Sequence, residues 1–411
     1  MAVRLAALVV LVVIGLTDLA GQDASTEWFQ WRGPNRDGIS AETGLLQEWP
    51  KPGPPQVWRI SGLGNGYSSF SASGGRLYTL GARAGNEYVT AIDQASGKKV
   101  WEYLNGRRFQ NDRGDGPRST PTVDGDRLYV FGGSGDLTCL EAATGKRIWT
   151  VNVVQKFRGG NPYWGYSESP LIVGDRIIFN AGGRRASIVA VSKADGTTLW
   201  QQHSDGAGYS SPMLMRTGSL NQVIFFTESR TMAVDPRDGR LLWSYNKAAN
   251  GTANVATPVV RGTRVFVSSD YGTGAALLDV RAAGNIATAN EVYFTRDMRN
   301  HHSSSVLIGE HIYGFSSSIL TVLRFDTGAI AWRDRSVGKG SLISADNRLY
   351  LYSENGVVGL ADASPEGYRE RGRFTIPQQS GLPTWSHPMI AGGLLVIRDQ
   401  DAAFAYDVRA K

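Results

Sequence analysis

The 411-residue sequence is almost free of cysteine, since Cys139 is its only one. A single cysteine cannot form an intramolecular disulfide, so a hydrophobic core must hold the fold together. The 41% hydrophobic content and 11 tryptophans are enough to build such a core. Runs of like charge are also missing, and the densest basic spots, residues 107–108 and 184–185, have no interleaved aromatics. The net charge of +6 therefore predicts a mildly basic surface and no nucleic-acid binding.

Long hydrophobic runs are absent except at the amino terminus. Residues 5–16 form an almost unbroken apolar run after a short basic start. The run is shorter than the roughly 20 residues that a membrane-spanning helix needs, so it predicts a signal peptide over residues 1–22. Cleavage is expected between Ala20 and Ala24, with an uncleaved anchor as the alternative, and no cysteine stands nearby to carry a lipid. The mature protein is then expected in the periplasm or outside the cell, without a transmembrane segment.

Catalytic signatures are missing as well. The sequence has no Gly-x-Ser-x-Gly turn, no phosphate-binding glycine loop and no zinc-ligand spacing. After the amino-terminal run, no stretch shows a convincing helical period. Asp399 and Asp401 are a possible carboxylate pair, but the Asp-Gln-Asp pattern is more typical of a turn. His301 and His302 are predicted not to hold zinc, because neighbours on an extended chain point to opposite faces.

What the sequence has in abundance is glycine, with 50 residues, and a pattern that returns every 40 to 50 residues. In each clear copy a glycine stands four residues ahead of a tryptophan. The pairs are Gly97/Trp101, Gly145/Trp149, Gly196/Trp200, Gly239/Trp243 and Gly328/Trp332. Between them lie short β-branched or aromatic runs bounded by Gly, Asp or Asn, which predict short strands. A repeat of this length is typical of propellers and solenoids.

Aromatic residues at the tryptophan position number eight along the chain. They are Trp58, Trp101, Trp149, Trp200, Trp243, Tyr293, Trp332 and Phe374, of which the six tryptophans are assigned to blade packing. The last repeat ends before reaching such an aromatic, and Trp58 begins the strand that would complete it. We therefore predict an all-β, eight-bladed β-propeller of four-stranded antiparallel blades, in which the N-terminal strand near Trp58 completes the C-terminal blade. The propeller is predicted over residues 53–411, after an extended leader at residues 23–52.

The pattern Ala-x-Asp-x-x-x-Gly-x-x-x-Trp at residues 91–101 and 233–243 resembles the repeat of the pyrroloquinoline-quinone (PQQ) propellers, the quinoprotein alcohol dehydrogenase-like superfamily. Residues 28–38 resemble the leader of many exported bacterial members. One branch of the family oxidises alcohols with PQQ and calcium and usually carries two adjacent cysteines, which this chain cannot supply. Another branch is a lipoprotein that assists outer-membrane assembly. This chain matches the second branch in length but lacks its lipid-attachment cysteine.

One position in the loop before the innermost strand of each predicted blade differs from repeat to repeat. The residues there are Tyr67, Arg118, Ser167, Tyr209, Val255, His302, Lys339 and Trp385, with Glu168, Asn254, His301 and His387 close by. Such loops converge on the propeller axis, and a binding site requires this kind of asymmetry. The predicted ligand-binding residues are Arg118, Glu168, Tyr209, Asn254, His302, Lys339, Trp385 and His387.

The chemistry of these residues suits several ligands. Arg118, Lys339 and His302 are expected to bind carboxylate, phosphate or quinone oxygens, and aromatic rings at the same position are expected to stack. Glu168 and Asn254 offer two oxygen ligands to calcium, which prefers six to eight. The sequence therefore predicts a monomeric, non-catalytic propeller that binds a protein or small ligand over its central channel, and it assigns no cofactor. The alternatives are a PQQ- and calcium-dependent alcohol or polyol dehydrogenase with a reduced pocket, and a carbohydrate- or polymer-binding module.

Overall fold

The computed structural model describes residues 27–410, so the predicted signal peptide at residues 1–22 lies outside the described residues. Eight sheets of four antiparallel strands form the blades of a propeller, which confirms the predicted architecture. The described chain holds one short helix, Val153–Phe157, whose first turn is capped by the Asn152 side chain. Five residues are too few to show a helical period in the sequence. Within residues 27–410, no helix has the length and apolar character needed to cross a membrane.

We number the blades in chain order and give their strands from the innermost outward. Blade 1 consists of Ser71–Ser73, Arg76–Arg83, Asn86–Asp93 and Lys99–Arg107, and blade 2 of Thr122–Asp124, Arg127–Phe131, Asp136–Glu141 and Arg147–Asn152. Blade 3 consists of Leu171–Val173, Arg176–Gly183, Ala186–Ser192 and Thr198–Gln202, and blade 4 of Met213–Thr217, Leu220–Phe226, Thr231–Val234 and Leu241–Tyr245. Blade 5 consists of Val259–Arg261, Arg264–Ser269, Gly274–Ala283 and Ile286–Thr295, and blade 6 of Val306–Ile308, His311–Ser316, Ile319–Arg324 and Ile330–Asp334. Blade 7 consists of Gly340–Ala345, Arg348–Ser353, Val357–Asp362 and Glu370–Thr375, and blade 8 of Met389–Ala391, Leu394–Asp399, Ala402–Asp407 and Gln56–Ile60.

The ring closes through the N-terminal strand of the propeller. Gln56–Ile60 pairs antiparallel with Ala402–Asp407, with Trp58 opposite Ala405. The predicted closure is therefore confirmed, and the sheet edge that the last repeat would leave open is covered. Buried Arg398 of blade 8 adds a second joint, because its guanidinium donates to the Ser68 and Gly64 carbonyls ahead of blade 1 at 3.1 and 2.9 Å.

The repeated glycine and tryptophan meet across blade boundaries. Gly145 has φ +74°, and a Cβ there would lie 2.5 Å from the Trp101 ring of the preceding blade. The position therefore needs glycine twice, for its left-handed backbone and for the space under the indole. The same contact joins Gly97 to Trp58, Gly196 to Trp149, Gly239 to Trp200 and Gly328 to Tyr293.

The indole N–H groups reinforce these boundaries. In five cases Nε1 donates to a backbone carbonyl of the next blade: Trp58 to Gln94, Trp101 to Ala142, Trp149 to Lys193, Trp200 to Pro236 and Trp332 to Ser364, at 2.9 to 3.2 Å. Trp243 differs, because it donates to Gln222 Oε1 within its own blade at 2.7 Å. The apolar core is distributed in the same way, in clusters that lie between neighbouring blades, such as Leu80 and Val89 of blade 1 against Leu128 of blade 2.

Of the described part of the leader, residues 27–52, the portion up to Glu42 runs through the channel among the innermost strands. The chain then passes outward, and the Leu46 and Trp49 N–H groups donate to the carbonyls of Val408 after the third strand of blade 8 and Arg371 in the outermost strand of blade 7. Trp28 pairs with Ala72 of blade 1, with N–H to carbonyl distances of 3.1 and 2.9 Å in the two directions. Further along, Ile39–Ser40 adds a parallel strand to the inner edge of blade 7. Trp28 is also buried in the hydrophobic cluster that joins blades 7, 8 and 1.

Three charged and two aromatic residues tie the leader to the remaining blades. The Arg36 guanidinium donates to the carbonyls of Pro212, Ser169 and Pro170 at 2.9 to 3.0 Å, which joins blades 3 and 4. The other contacts are Arg32 to the Ser304 and Ser305 carbonyls of blade 6, the Glu42 carboxylate to the N–H groups of Gly392 and Gly393 of blade 8, Phe29 to Val123 of blade 2, and Trp31 to Thr257 of blade 5. The leader therefore contacts all eight blades.

Candidate functional site

A cavity of about 540 Å³ lies at one end of the channel, where the loops before the innermost strands converge. Trp31 of the leader closes it from the channel side. The described residues that line the cavity are Trp31, Tyr67, Arg113, Arg118, Trp164, Ser167, Tyr209, Ser211, Thr252, Ala253, Val255, Tyr271, His301, His302, Lys339, Trp385 and His387. All eight residues from the variable repeat position are among them, one from the loop ahead of each blade.

Two predicted site residues, Glu168 and Asn254, do not line the cavity. The Glu168 carboxylate is buried and accepts a hydrogen bond from the Asn180 N–H at 2.7 Å. Asn254 donates to the carbonyls of Thr227 and Glu228 at 2.8 Å. Each follows or precedes a residue that does face the cavity, and alternation along an extended chain turns it away. The expected pair of calcium ligands is therefore not assembled at this site.

Burial dominates the protonation of Glu168. It raises the pKa of this carboxyl to about 8, opposed by the Asn180 hydrogen bond and by the nearby Arg36 guanidinium. Burial also lowers the pKa of Arg36 to about 9, with Glu168 counteracting. At neutral pH the carboxyl is protonated and the guanidinium is charged. Glu168 thus acts as a neutral hydrogen-bonding group behind the cavity wall.

Aromatic rings form much of the cavity wall. The ring centroids of Tyr67 and Trp385 are 4.9 Å apart, and those of Trp164 and Tyr209 are 5.5 Å apart. On the channel side, Trp31 packs against His387 at 4.7 Å. These contacts restrain the rings, so the cavity presents preformed flat surfaces on which a planar molecule can stack.

The charged groups in the lining are cationic. Arg113, Arg118 and Lys339 line the cavity, and none of the described lining residues carries a carboxylate. The Arg118 guanidinium donates to the Gly114 and Gly116 carbonyls at 2.7 and 2.6 Å, which fixes it against the loop. Lys339 Nζ lies 2.9 Å from the carboxylate of Glu354. The lining therefore favours an anionic ligand over a cationic one.

Three histidines approach the cavity, and two of them are deeply buried. His301 and His302 occupy a bend rather than an extended strand, so both rings face the cavity, contrary to the expectation from strand alternation. Burial, reinforced by the Lys339 charge, lowers the pKa of His302 well below its ordinary value. Burial lowers the pKa of His387 to about 3. Both imidazoles are neutral at physiological pH.

Sequence reasoning missed seven lining residues: Trp31, Arg113, Trp164, Ser211, Thr252, Ala253 and Tyr271. Trp31 belongs to the leader motif, but nothing in a repeat alignment indicates that the leader enters the channel. The other six stand outside the repeat position, and repetition therefore gave no signal for them.

The carboxylates Asp399 and Asp401 are structural. Asp399 accepts from the Ser380 N–H and hydroxyl at 2.7 and 2.5 Å, and Asp401 accepts from the N–H groups of Gly62 and Gly64 at 2.8 and 2.7 Å. Residues 400–401 form the predicted turn. The two carboxylates fix loops and do not line the cavity.

Comparison with known proteins relates the chain to two groups. Residues 85–334 match the family model described as outer membrane protein assembly factor BamB. The assembly factor BamB of Yersinia pestis is 23% identical over 297 residues, which cover 68% of this chain and 71% of that protein. The quinoprotein ethanol dehydrogenase of Pseudomonas aeruginosa is 28% identical over 160 residues, covering 35% of this chain but only 24% of the dehydrogenase.

The likeness extends to solved structures. The crystal structure of a quinohemoprotein alcohol dehydrogenase from Comamonas testosteroni superposes with a TM-score of 0.68 at 13% identity, covering 95% of this chain and 82% of the other. At that identity the likeness concerns the fold alone. The family model, by contrast, matches well over half of the sequence. The chain therefore belongs to the PQQ-repeat β-propeller family described as outer membrane protein assembly factor BamB.

Proposed function

We propose that this chain is an exported, non-catalytic binding propeller that holds a planar, negatively charged small molecule in the cavity above the leader. The observation that carries the proposal is the pairing of aromatic walls with three cations and no carboxylate among the described lining residues. Aromatic faces stack on planar rings, while guanidinium and ammonium groups bind carboxylates or phosphates. A volume of about 540 Å³ is typical of small-molecule sites.

The dehydrogenase branch of the family implies PQQ together with calcium. The residues of the cavity suit PQQ but not calcium. The lining suits a flat molecule with carboxylates, such as the quinone. Calcium prefers six to eight oxygen ligands, whereas the described lining offers hydroxyls, imidazoles and cations. Glu168 is protonated and turned away from the cavity. We therefore propose binding without calcium-dependent alcohol oxidation.

A partner protein is the second candidate for the ligand. It is supported by the assembly-factor family and by exposed apolar side chains on the loops that carry cavity residues. Tyr163, next to Trp164, is 68% exposed, and Leu382, near Trp385, is 47% exposed. A protein docked on these loops would cover the mouth of the cavity.

Titration of the purified mature protein with PQQ, with and without calcium, tests the proposal. We expect one PQQ per chain, unchanged affinity without calcium, weaker binding at high salt, and no reduction of an artificial acceptor with alcohols. Calcium-dependent binding with turnover would establish the dehydrogenase instead. Saturable binding of a neutral sugar such as maltose, without PQQ binding, would establish the carbohydrate module. If neither PQQ nor the sugar binds and a protein co-purifies, the chain is a protein-binding scaffold.

Export rests on the sequence of residues 1–22. Cell fractionation followed by N-terminal sequencing tests it directly. We expect periplasmic or secreted protein whose first residue lies between Gly21 and Ala24. Cytoplasmic protein beginning at the start of the chain would contradict export without affecting the cavity proposal.

A further inference from the structure

At one edge of the cavity, two lining histidines meet a carboxylate that stands just behind the lining. His301, His302 and Glu354 each offer one metal-binding atom, and these atoms lie within 4.8 Å of one another. The two histidines come from the loop between blades 5 and 6, and Glu354 follows the second strand of blade 7. His302 Nδ1 is 3.5 Å from Glu354 Oε1.

His302 indicates that something else belongs at this edge. Its side chain is 8% exposed, yet neither ring nitrogen makes a hydrogen bond within the described chain. A buried polar atom without a hydrogen-bond partner destabilises the fold, and a ligand that binds to this atom removes the destabilisation. His301 Nδ1 also makes no hydrogen bond within residues 27–410, while its Nε2 lies 3.3 Å from the Tyr271 hydroxyl.

We propose that His301, His302 and Glu354 bind a divalent transition-metal ion, with Zn²⁺ as the best match, and leave a fourth coordination position open to the cavity. Two imidazoles and one carboxylate are a common three-ligand set for zinc sites with an open position. Imidazole ligands favour zinc, copper or nickel over calcium and magnesium. This site goes beyond the proposed function, because it requires no planar ligand to form.

Formation of a tetrahedral zinc site requires only side-chain movement. Zinc–ligand distances of about 2.0–2.1 Å in a tetrahedral site place ligand atoms roughly 3.3 Å apart. The separations of up to 4.8 Å must therefore shorten by at most about 1.5 Å. Rotations of the two imidazoles can supply this, because the bend at residues 301–302 already directs both rings to the same side.

Lys339 is the natural competitor of the metal ion. Its ammonium lies 2.9 Å from Glu354 Oε1, and Trp385 Nε1 donates to the same oxygen at 2.6 Å. Metal binding requires the ammonium to swing away, for which its flexible and partly exposed side chain is suited. Because like charges at this distance repel, Lys339 lowers the affinity of the site.

The test uses the full mature chain without affinity tag, stripped of metal with a chelator and then titrated with Zn²⁺ by calorimetry. We expect one ion per chain and an affinity that falls at least about tenfold in His302→Ala. His311→Ala removes a histidine outside the cavity and should leave the affinity unchanged. Lys339→Met should raise the zinc affinity about tenfold, because it removes the competing cation.

Equal zinc affinities of the wild type and His302→Ala would overturn the proposal, as would equal losses in His302→Ala and His311→Ala or weaker zinc binding in Lys339→Met. Thermal unfolding in chelator checks that each variant is folded, and Glu354→Gln replaces His302→Ala if the latter fails. The same variants are titrated with PQQ. PQQ binding without zinc binding overturns the metal site alone, and zinc binding without PQQ binding overturns the planar-anion site alone.

Discussion

The outer and inner ends of the blades differ in how closely the repeats agree. At the outer ends, one contact recurs around most of the ring: a glycine with positive φ lies under the aromatic ring of the preceding blade, as Gly145 does under Trp101. At the inner ends, the eight equivalent residues are nearly all different, and together they line one cavity. Repetition thus builds the ring, while variation at a single repeat position builds an asymmetric site.

The leader belongs neither to the repeated glycine–aromatic contacts nor to the variable repeat position. It fills the channel with hydrogen bonds to every blade, and its Trp31 closes the cavity. Arg36 shows how strongly it is attached, since its guanidinium serves three carbonyls from two blades. The comparison therefore predicts large stability effects in the leader and at the outer ends, and binding effects with little stability cost at the inner ends.

The largest effect is expected for Arg36→Met. The change leaves three carbonyls without a donor in a buried site, so the free energy of unfolding should fall by roughly 3–5 kcal/mol. The matched control is Arg59→Met, on the exposed side of the closing strand, which should stay within about 0.5 kcal/mol of the wild type. Urea unfolding measures both. Equal stabilities would mean that the leader contributes nothing to the ring.

Glu168→Gln should alter the pH dependence of stability. Because the folded-state pKa of Glu168 is about 8 rather than 4.5, its protonated form stabilises the fold below about pH 4.5, and this contribution is lost as the pH rises to 8. Glutamine keeps the acceptor for Asn180 and never ionises, so the variant should gain roughly 3 kcal/mol over the wild type between pH 4.5 and 7. Thermal unfolding across this range measures the gain. Parallel pH profiles would show that Glu168 is ionised in the fold.

Gly145→Ala separates backbone strain from ring contact at the outer ends. Gly125 also has a positive φ, but a Cβ there would meet nothing within 4 Å. Gly125→Ala should therefore cost about 1 kcal/mol through the backbone alone, and Gly145→Ala roughly 2 kcal/mol more through the clash with Trp101. Urea midpoints give the difference. Equal losses would show that the indole contact does not explain the glycine.

The smallest stability effect is expected for Arg113→Ala at the inner end. Its side chain is 66% exposed and, within residues 27–410, makes only a surface ion pair with Asp112, so the free energy of unfolding should change by less than about 0.5 kcal/mol. The affinity for PQQ should nevertheless fall several-fold, because a cation of the lining is lost. Calorimetry measures the affinity. Unchanged PQQ affinity would exclude Arg113 from the site.

Features at both ends of the blades could be predicted from the sequence because the repeat fixes the register of each blade. The glycine–tryptophan spacing predicted the blade boundaries, and one aligned position predicted eight lining residues. Glu168 and Asn254, which the sequence also predicted to bind a ligand, stand one residue from lining positions and face the other way. The bend at His301 and the course of the leader depend on tertiary contacts, which neither strand alternation nor repetition encodes.

The most direct test of the central claim compares two lysine variants, one at each end of the blades. Lys339→Met removes a cation from the cavity, and Lys98→Met removes an exposed one from the outer turn of blade 1. Titration with PQQ should show an affinity about tenfold lower for Lys339→Met, since a charge-assisted contact is lost. Lys98→Met should bind as the wild type does. Equal affinities of both variants and the wild type would contradict the assignment of the inner ends as a binding site.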